Sequence, residues 1–208
     1  MSHAATEPAS LRERKKLRLR RGLQQVALRL FAVQGYEQTT VEQIVTEAES
    51  SLATFYRHFP AKEDVVLYDE FDPIIEQAIA EQPADKTVTG TIRAAVTALA
   101  QAVEADREQS LTRLRLILVV PALMARQALD ERKNYQLYAR ALAVRTGRPV
   151  EDYQLRLTTA ALSAAITEAA RYWAEHDGTP RLTTLMDQAV TALEPLLRTL
   201  QSTGGSAH

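Results

Sequence analysis

Cysteine is absent from this 208-residue sequence, and glycine and phenylalanine are scarce, with 7 and 4 copies. Without cysteine the chain can hold no disulfide framework, no thiolate metal site and no cysteine nucleophile, which fits a reducing compartment. The longest apolar run, residues 116–120, is far too short to span a bilayer. The polar residues 1–10 lack the apolar core of a secretion signal. We therefore expect a soluble cytoplasmic protein with no membrane partner.

Helix-favouring residues dominate what is present. Ala, Leu, Gln, Glu and Arg are plentiful, and apolar residues recur at steps of three and four along most of the chain. This is the spacing of helices with one buried face. Gly35 ends the first such segment, as glycine commonly does. The pattern predicts an all-α fold of about nine helices. After the first helix, they span residues 41–45, 52–59, 62–80, 87–105, 110–120, 121–145, 150–176 and 184–200.

Charge is distributed unevenly along the chain. Residues 11–62 hold ten basic and five acidic side chains, a net charge of +5, so the remainder carries −6 of the total of −1. A basic head on an acidic body indicates a polyanionic partner for the head. We predict a disordered N-terminus over residues 1–10, a basic domain over 11–62, a helical body over 63–201 and a disordered tail over 202–208.

Two short helices lie close together in the basic domain. Thr40 is placed to cap the first of them, with Gln43 as its capping-box partner. A polar break at residues 49–51 leads to the second, which Pro60 ends. Such short helices bury little surface alone, so we expect them to pack on the longer helix before them as a helix-turn-helix. That arrangement predicts DNA as the polyanion.

Spacing also divides the side chains of the second short helix between core and surface. Phe55 and Phe59 are four residues apart and share a face, so they are expected in the core. Tyr56, Arg57 and His58 then project elsewhere, where long polar groups can reach phosphates and base edges.

Here the sequence resembles the TetR family over residues 17–67. The resemblance rests on a Thr-Val-x-x-Ile helix start at Thr40 and on Thr-Phe-Tyr-x-His-Phe-x-x-Lys-Glu from Thr54 to Glu63. It implies an N-terminal helix-turn-helix domain and a C-terminal helical domain for ligand binding and dimerisation. It also implies a bacterial regulator that binds a palindromic operator in double-stranded DNA as a homodimer. A small effector would release it, with no cofactor and no catalysis.

The family also implies a role for each matching position. Ser50 and Ser51 would cap the recognition helix, whose exposed face would read bases in the major groove. Thr40 would bind a phosphate at a helix N-terminus, and the basic arm 12–21 would follow the backbone or enter a minor groove. The implied DNA contacts are Arg18, Arg21, Thr40, Ser50, Ser51, Leu52, Ala53, Thr54, Tyr56, Arg57, His58 and Lys62, of which Tyr56, His58 and Lys62 would contact phosphate.

This chain departs from the family pattern at two places. Many members have Gly-Val in the turn where Glu49 and Ser50 stand, and glutamate tolerates a left-handed conformation less well than glycine. Many also have a basic or polar residue where Leu52 stands. We therefore expect an altered turn and a more apolar base-reading surface.

The body resembles the family's effector and dimerisation region in helix count and order. We expect homodimerisation through residues 150–176 and 184–200; the alternative is packing within the monomer. Polar and aromatic residues within apolar stretches are candidates for the effector site, although each alone also fits core packing or a surface ion pair. These candidates are Arg113, Arg115, Met124, Tyr135, Tyr138, Glu168, Tyr172 and Trp173. They suggest a mostly apolar ligand, acyl or aromatic, with an acid or phosphate group.

Catalytic and metal-binding patterns are missing. The four histidines, His3, His58, His176 and His208, lack metal-ligand spacing, and there is no glycine-rich phosphate loop or nucleophile elbow. We therefore expect no enzyme activity. The alternatives are a helical ligand-binding protein or enzyme with an incidental basic N-terminus, and a structural adaptor.

In the favoured interpretation the helix over residues 62–80 links the basic head to the acidic body, with Pro73 as a flex point.

Overall fold

The first helix, α1, spans Leu11–Gln34. It begins at Leu11 because Ser10 and Glu13 form a capping box. The Ser10 hydroxyl accepts a hydrogen bond from the Glu13 N–H at 3.2 Å, and the Glu13 carboxylate accepts one from the Ser10 N–H at 2.8 Å. The basic segment 12–21 is therefore helical. Gly35 ends the helix with a φ of 90°, a conformation that favours glycine and confirms the predicted stop.

The computed structural model describes residues 10–201, apart from the side chains of residues 129–131, 133 and 134. Within that range the chain forms ten α-helices and no strand, which confirms the all-α prediction. Of the termini predicted to be disordered, residues 1–9 and 202–208 lie outside the described residues. Ser10, which was assigned to the first of them, instead caps α1.

Residues 10–68 form the first of two units. Its other helices are α2 (Val41–Glu47), α3 (Leu52–His58) and α4 (Lys62–Leu67). The Gln24 amide on α1 donates to the carbonyls of Val65 at 2.9 Å and Tyr68 at 2.7 Å, which fastens α4 to α1. The buried core side chains include Leu23, Ala27, Phe31, Ile44, Phe55, Phe59, Val65 and Val66.

The long helix predicted over residues 62–80 is wrong as a single element. It is two helices, α4 and α5 (Asp72–Ala80), and Pro73 lies in the first turn of α5. Proline has no N–H and its ring clashes with the carbonyl four residues earlier, so a first turn accepts it more readily than a helix interior. Residues 10–201 therefore form ten helices, one more than expected. The boundary between the two units falls after Tyr68 in the sequence, later than the boundary predicted after Lys62, because α4 packs into the first core.

Residues 69–201 form the second unit. After α5 its helices are α6 (Val88–Ala105), α7 (Arg107–Val119), α8 (Pro121–Thr146), α9 (Tyr153–Glu175) and α10 (Leu182–Gln201). Helix α10 packs against α6 and α9, and Arg93 on α6 pairs with Asp187 on α10. Trp173, Leu155, Leu162 and Met186 are fully buried in its core. None of the helices in the described range is long and apolar enough to cross a membrane.

Candidate nucleic-acid interface and effector site

The two short helices of the first unit begin at hydroxyl caps. The Thr40 hydroxyl accepts from the Gln43 N–H at 3.3 Å, and the Gln43 side chain accepts from the Thr40 N–H at 2.9 Å. The predicted capping box is confirmed, and Thr40 stays exposed. The Ser51 hydroxyl caps α3 by accepting from the Thr54 N–H at 3.1 Å. Its second contact is a 3.0 Å hydrogen bond to the hydroxyl of Thr54.

Ser50 does not share the capping role predicted for it. Its N–H donates to the carbonyl of Val45 at 2.8 Å and so closes the end of α2. The preceding Glu49 takes a left-handed φ of 49°. The turn therefore keeps the backbone that glycine adopts most easily, although a glutamate stands there.

Helix α3 has a buried face and an open one. Phe55 and Phe59 are buried, with ring centroids 5.5 Å apart, which confirms them as core residues. Leu52, Ala53, Tyr56 and Arg57 are exposed. Thr54 is half-buried, so the outward surface at the start of α3 is mainly apolar. This is the surface predicted to read bases.

His58 lies in a cluster of positive charges at the end of α3. The charged groups that act on it are Lys16 and Arg20 on α1 and Arg57 on α3. Burial lowers the pKa of the His58 imidazole, and the three cations lower it further. Its Nδ1 is buried and has no hydrogen-bond partner among the residues that the structure describes. We refer to these four residues as the His58 cluster.

The contribution of α1 to this cluster was missed from the sequence. Lys16 and Arg20 are four residues apart and share a face of α1, a spacing that would have paired them once the helix start at Ser10 was recognised. Residues 12–21 are helical, which favours the expected course along the DNA backbone over the alternative of entry into a minor groove. A helix about 10–12 Å across does not fit a groove about 6 Å wide.

Lys62, the first residue of α4, points inside the first unit. Its Nζ donates to the carbonyl oxygens of Tyr36 at 3.0 Å and Thr39 at 3.2 Å, and it lies 4.1 Å from the centre of the Tyr36 ring. The Tyr36 hydroxyl donates to Glu63 at 2.9 Å. The ammonium predicted to contact phosphate is thus bound within the fold.

The effector candidates are scattered through the second unit. Arg113 and Tyr138 are buried near the same carboxylates: the Arg113 guanidinium is 3.6 Å from Asp69, and Asp72 and Asp69 both act on Tyr138. Burial raises the pKa of the Tyr138 phenol, and those two carboxylates raise it further. Arg113 also lies 5.5 Å from the centre of the Phe71 ring. What links Arg113 to Tyr138 is therefore the shared influence of the Asp69 carboxylate.

Most of the other candidates are engaged elsewhere. Arg115 pairs with Asp177 and donates to the carbonyl of Ala174 at 3.3 Å, so it holds the end of α9. Glu168 pairs with Arg171 at 2.6 Å on the surface.

The aromatic candidates and Met124 are also separate from that pair. Trp173 is a core residue, and Met124 is exposed. Tyr172 stacks on His176 at the surface, with ring centroids 3.8 Å apart. Tyr135 lines an open groove of about 420 Å³ with Arg140 and Arg156. The structure therefore does not bring these candidates together at one place, because their helical registers point them to different faces.

Comparison with known proteins decides the family. Residues 23–68 match the model for bacterial regulatory proteins of the tetR family, and residues 86–198 match the model for the MftR C-terminal domain. The chain belongs to the TetR family. It is 31% identical over 198 residues to the HTH-type transcriptional regulator TcmR of Streptomyces glaucescens, covering 90% of this chain and 88% of TcmR. This TetR-family protein is therefore a DNA-binding transcriptional regulator.

Solved structures share its TetR fold. FadR of Thermus thermophilus, a repressor in complex with lauroyl-CoA, is 22% identical with a TM-score of 0.57, covering 91% of this chain and 96% of that one. FadR of Bacillus subtilis in complex with stearoyl-CoA is 18% identical with a TM-score of 0.59, covering 83% and 96%. A TetR-family regulator from Syntrophomonas wolfei is 18% identical with a TM-score of 0.66, covering 90% and 99%.

The described residues hold no group of three or more His, Cys, Asp or Glu side chains placed to bind a metal ion.

Proposed function

We propose that this TetR-family regulator represses transcription as a homodimer on a palindromic operator and leaves the DNA when a small acyl or aromatic anion binds its second unit. The observation that carries the proposal is the exposed face of α3, which is fixed by Phe55 and Phe59 beneath it and flanked by the His58 cluster. Since its target is chromosomal DNA, we expect it to act in the cytoplasm.

The DNA contacts would divide into base readout and phosphate binding. Leu52 and Ala53 lie on the open face of α3 and suit the methyl groups of thymine. Tyr56 and Arg57 are exposed beside them, and Thr40 offers a hydroxyl at the start of α2. Phosphates would lie along Thr40, Tyr56 and the cations of α1, including Arg18 and Arg21. The half-buried Thr54 would contribute its methyl group or its O–H, because its hydroxyl oxygen accepts from Ser51 and still has a proton to donate.

An outward face along α9 supports dimerisation. Tyr153, Leu157, Ala160 and Ala164 are all exposed and follow one another at steps of four, three and four residues, which places them on one side of the helix. On α10, a matching outward row with the same steps contains Gln188, Ala192, Pro195 and Thr199. Small residues on such faces let two helices approach closely. Two copies would bring two recognition helices to paired half-sites.

Arg113 and Tyr138 are the best-supported effector contacts. The Arg113 side chain is only 15% exposed, and a buried cation is costly unless an anion balances it. Its guanidinium is 3.6 Å from the Asp69 carboxylate, so this position already accommodates an anionic group beside the cation. An anionic effector could take the place of Asp69, and the protonated Tyr138 phenol would donate to it. The apolar core around them would receive an acyl or aromatic tail. The acyl-CoA complexes of the two FadR proteins support this chemistry.

DNA recognition is tested by selection from a random-sequence duplex library with the purified full chain. We expect an enriched palindrome whose affinity falls steeply with salt, because each phosphate contact adds about 0.9 to the slope of log affinity against log salt. No enrichment at low salt, or an affinity that does not change with salt concentration, contradicts the proposal.

Effector binding is tested with lauroyl-CoA, and with coenzyme A alone as its control. Lauroyl-CoA should lower the affinity of the wild-type chain for the selected duplex. Arg113→Met should weaken that response by about tenfold or more, because truncating one partner of a charge-assisted contact removes about 1.5–3 kcal/mol. An equal response in wild type and variant would rule Arg113 out as a contact.

A further inference from the structure

A lysine on α4 binds the turn that connects α1 to α2. Residues 36–39 form a β-turn between α1 and α2, in which the Thr39 N–H donates to the Tyr36 carbonyl at 3.3 Å. The Lys62 Nζ donates to the carbonyl oxygens at both ends of this turn, those of Tyr36 at 3.0 Å and Thr39 at 3.2 Å. Lys62 therefore fixes the turn through its first and fourth residues.

The first two residues of α4, Lys62 and Glu63, both contact the side chain of Tyr36. The Lys62 Nζ lies 4.1 Å from the centre of its ring, and the Glu63 carboxylate accepts from its hydroxyl at 2.9 Å. A cation over an aromatic face is favourable, more so away from water. Tyr36 is itself buried. Two neighbouring residues thus fix one buried aromatic side chain, Lys62 at the ring face and Glu63 at the hydroxyl.

What the turn positions is the start of α2. Thr39 is buried, and its hydroxyl donates to the Gly35 carbonyl at 2.8 Å. Thr40 follows directly, and its exposed hydroxyl caps α2. A displacement of the Thr39 carbonyl moves the adjoining peptide of Thr40. The orientation of this cap toward a phosphate therefore depends on the Lys62 contact.

We propose that Lys62 is a positioning residue for DNA binding: it holds the 36–39 turn so that Thr40 faces the phosphate backbone, and it makes no phosphate contact itself. An ammonium that left for a phosphate would strand the Thr39 carbonyl and give up the Tyr36 ring. This inference rests on the DNA-binding function. Failure of that function would be recognised separately, because the wild-type chain would then not retain the duplex.

The test compares salt slopes on the palindrome enriched by the wild-type chain. Lys62→Met should weaken binding by about fivefold, the factor associated with one helix N-cap. The slope of log affinity against log salt should stay that of the wild type. Arg57→Gln is the matched control, because Arg57 is an exposed cation on α3. Its slope should fall by about 0.9, the value for one lost phosphate contact.

A double-mutant cycle with Thr40→Val separates positioning from general destabilisation. If Lys62 acts through Thr40, adding Lys62→Met to Thr40→Val should cost much less than it costs in the wild type. Circular dichroism at the binding temperature checks that each variant is folded. Should Lys62→Met fail to fold, Lys62→Gln, which is neutral but keeps an N–H donor on a shorter side chain, takes its place.

Three outcomes overturn the proposal. A salt slope that falls by about 0.9 in the Lys62 variant means that the ammonium contacts phosphate. Unchanged affinity means that the lysine has no role in binding. Additive losses in the cycle mean that it does not act through Thr40. Reduced affinity with an unchanged slope and a non-additive cycle supports it.

Discussion

The Arg20 guanidinium lies 5.1 Å from the centre of the Tyr68 ring, which joins the basic face of α1 to the residue that follows α4. This contact keeps Arg20 in the first unit, where it acts on His58 together with Lys16 and Arg57. The cations of α1 and α3 therefore form one electrostatic surface. The pKa of the His58 imidazole within this surface is lowered from the ordinary value of a histidine, by burial and by these cations.

His58 should couple DNA binding to a proton. Because burial and the three cations lower its pKa, the imidazole is neutral in the free protein at pH 7. A DNA phosphate at the cluster would offset the cations and raise that pKa, so binding would take up a proton. Affinity for the selected duplex should therefore rise as pH falls from about 7.5 to 6, and His58→Gln should flatten this dependence.

The lowered pKa of His58 gives folding stability the opposite dependence on pH from DNA affinity. A histidine whose pKa is lowered in the folded state binds fewer protons there than in the unfolded chain. Stability should therefore decline as pH falls below the ordinary histidine pKa of about 6.5, and urea midpoints measure it. His176→Gln in the second unit is the control for both the stability and the DNA-affinity measurements.

Should His176→Gln lose the pH dependence of DNA affinity while His58→Gln keeps it, the assignment to His58 is wrong.

Base readout and phosphate binding should separate on α3. Leu52→Ala removes an exposed apolar side chain, so it should change which bases are enriched at one position of each half-site and leave the salt slope as it is. Arg57→Gln should instead weaken binding to all duplexes alike. Sequencing the enriched pools and measuring salt slopes distinguishes the two. An unchanged pool with Leu52→Ala would mean that this side chain does not meet a base.

Local order in the first unit could be predicted because its signals lie close together in sequence. Thr40 and Gln43 form their capping box over three residues, and Phe55 and Phe59 share a face over four. The same rule applied to Ser10 and Glu13 would have found the start of α1. The break before α5 needed more weight on Pro73, because proline within a helix removes a backbone hydrogen bond and clashes with the carbonyl four residues earlier.

Contacts between distant residues could not be predicted. Lys62 reaches back to the carbonyl of Tyr36, 26 residues earlier, and a motif that matches a phosphate-binding lysine does not reveal this. The scattered positions of the effector candidates could not be predicted for the same reason. Spacing within α8 or α9 gives a residue's face on its own helix, whereas the packing of several helices decides which faces meet.

Glu49 should tolerate replacement by glycine with a small gain in stability. Its φ of 49° costs a residue with a Cβ about 1–2 kcal/mol. Glycine removes this cost but loses about 0.5–1 kcal/mol through its freer unfolded chain. Glu49→Gly should therefore stabilise the first unit by up to about 1.5 kcal/mol in urea unfolding, with Glu37→Gly as an exposed control expected to lose stability. A loss in Glu49→Gly would indicate that the glutamate side chain makes a compensating contact.

The outward face of α9 should carry the dimer. Leu157 is 43% exposed, and a charge there would have to be buried between two copies of the helix. Leu157→Glu should therefore shift sedimentation at micromolar concentration from dimer to monomer and weaken binding to the full palindrome far more than to a single half-site. Gln101→Glu places the same charge on the exposed side of α6 and should leave the dimer intact. A stable dimer in Leu157→Glu would show that the subunits meet through another surface, because a desolvated unpaired carboxylate at a helix contact costs several kcal/mol.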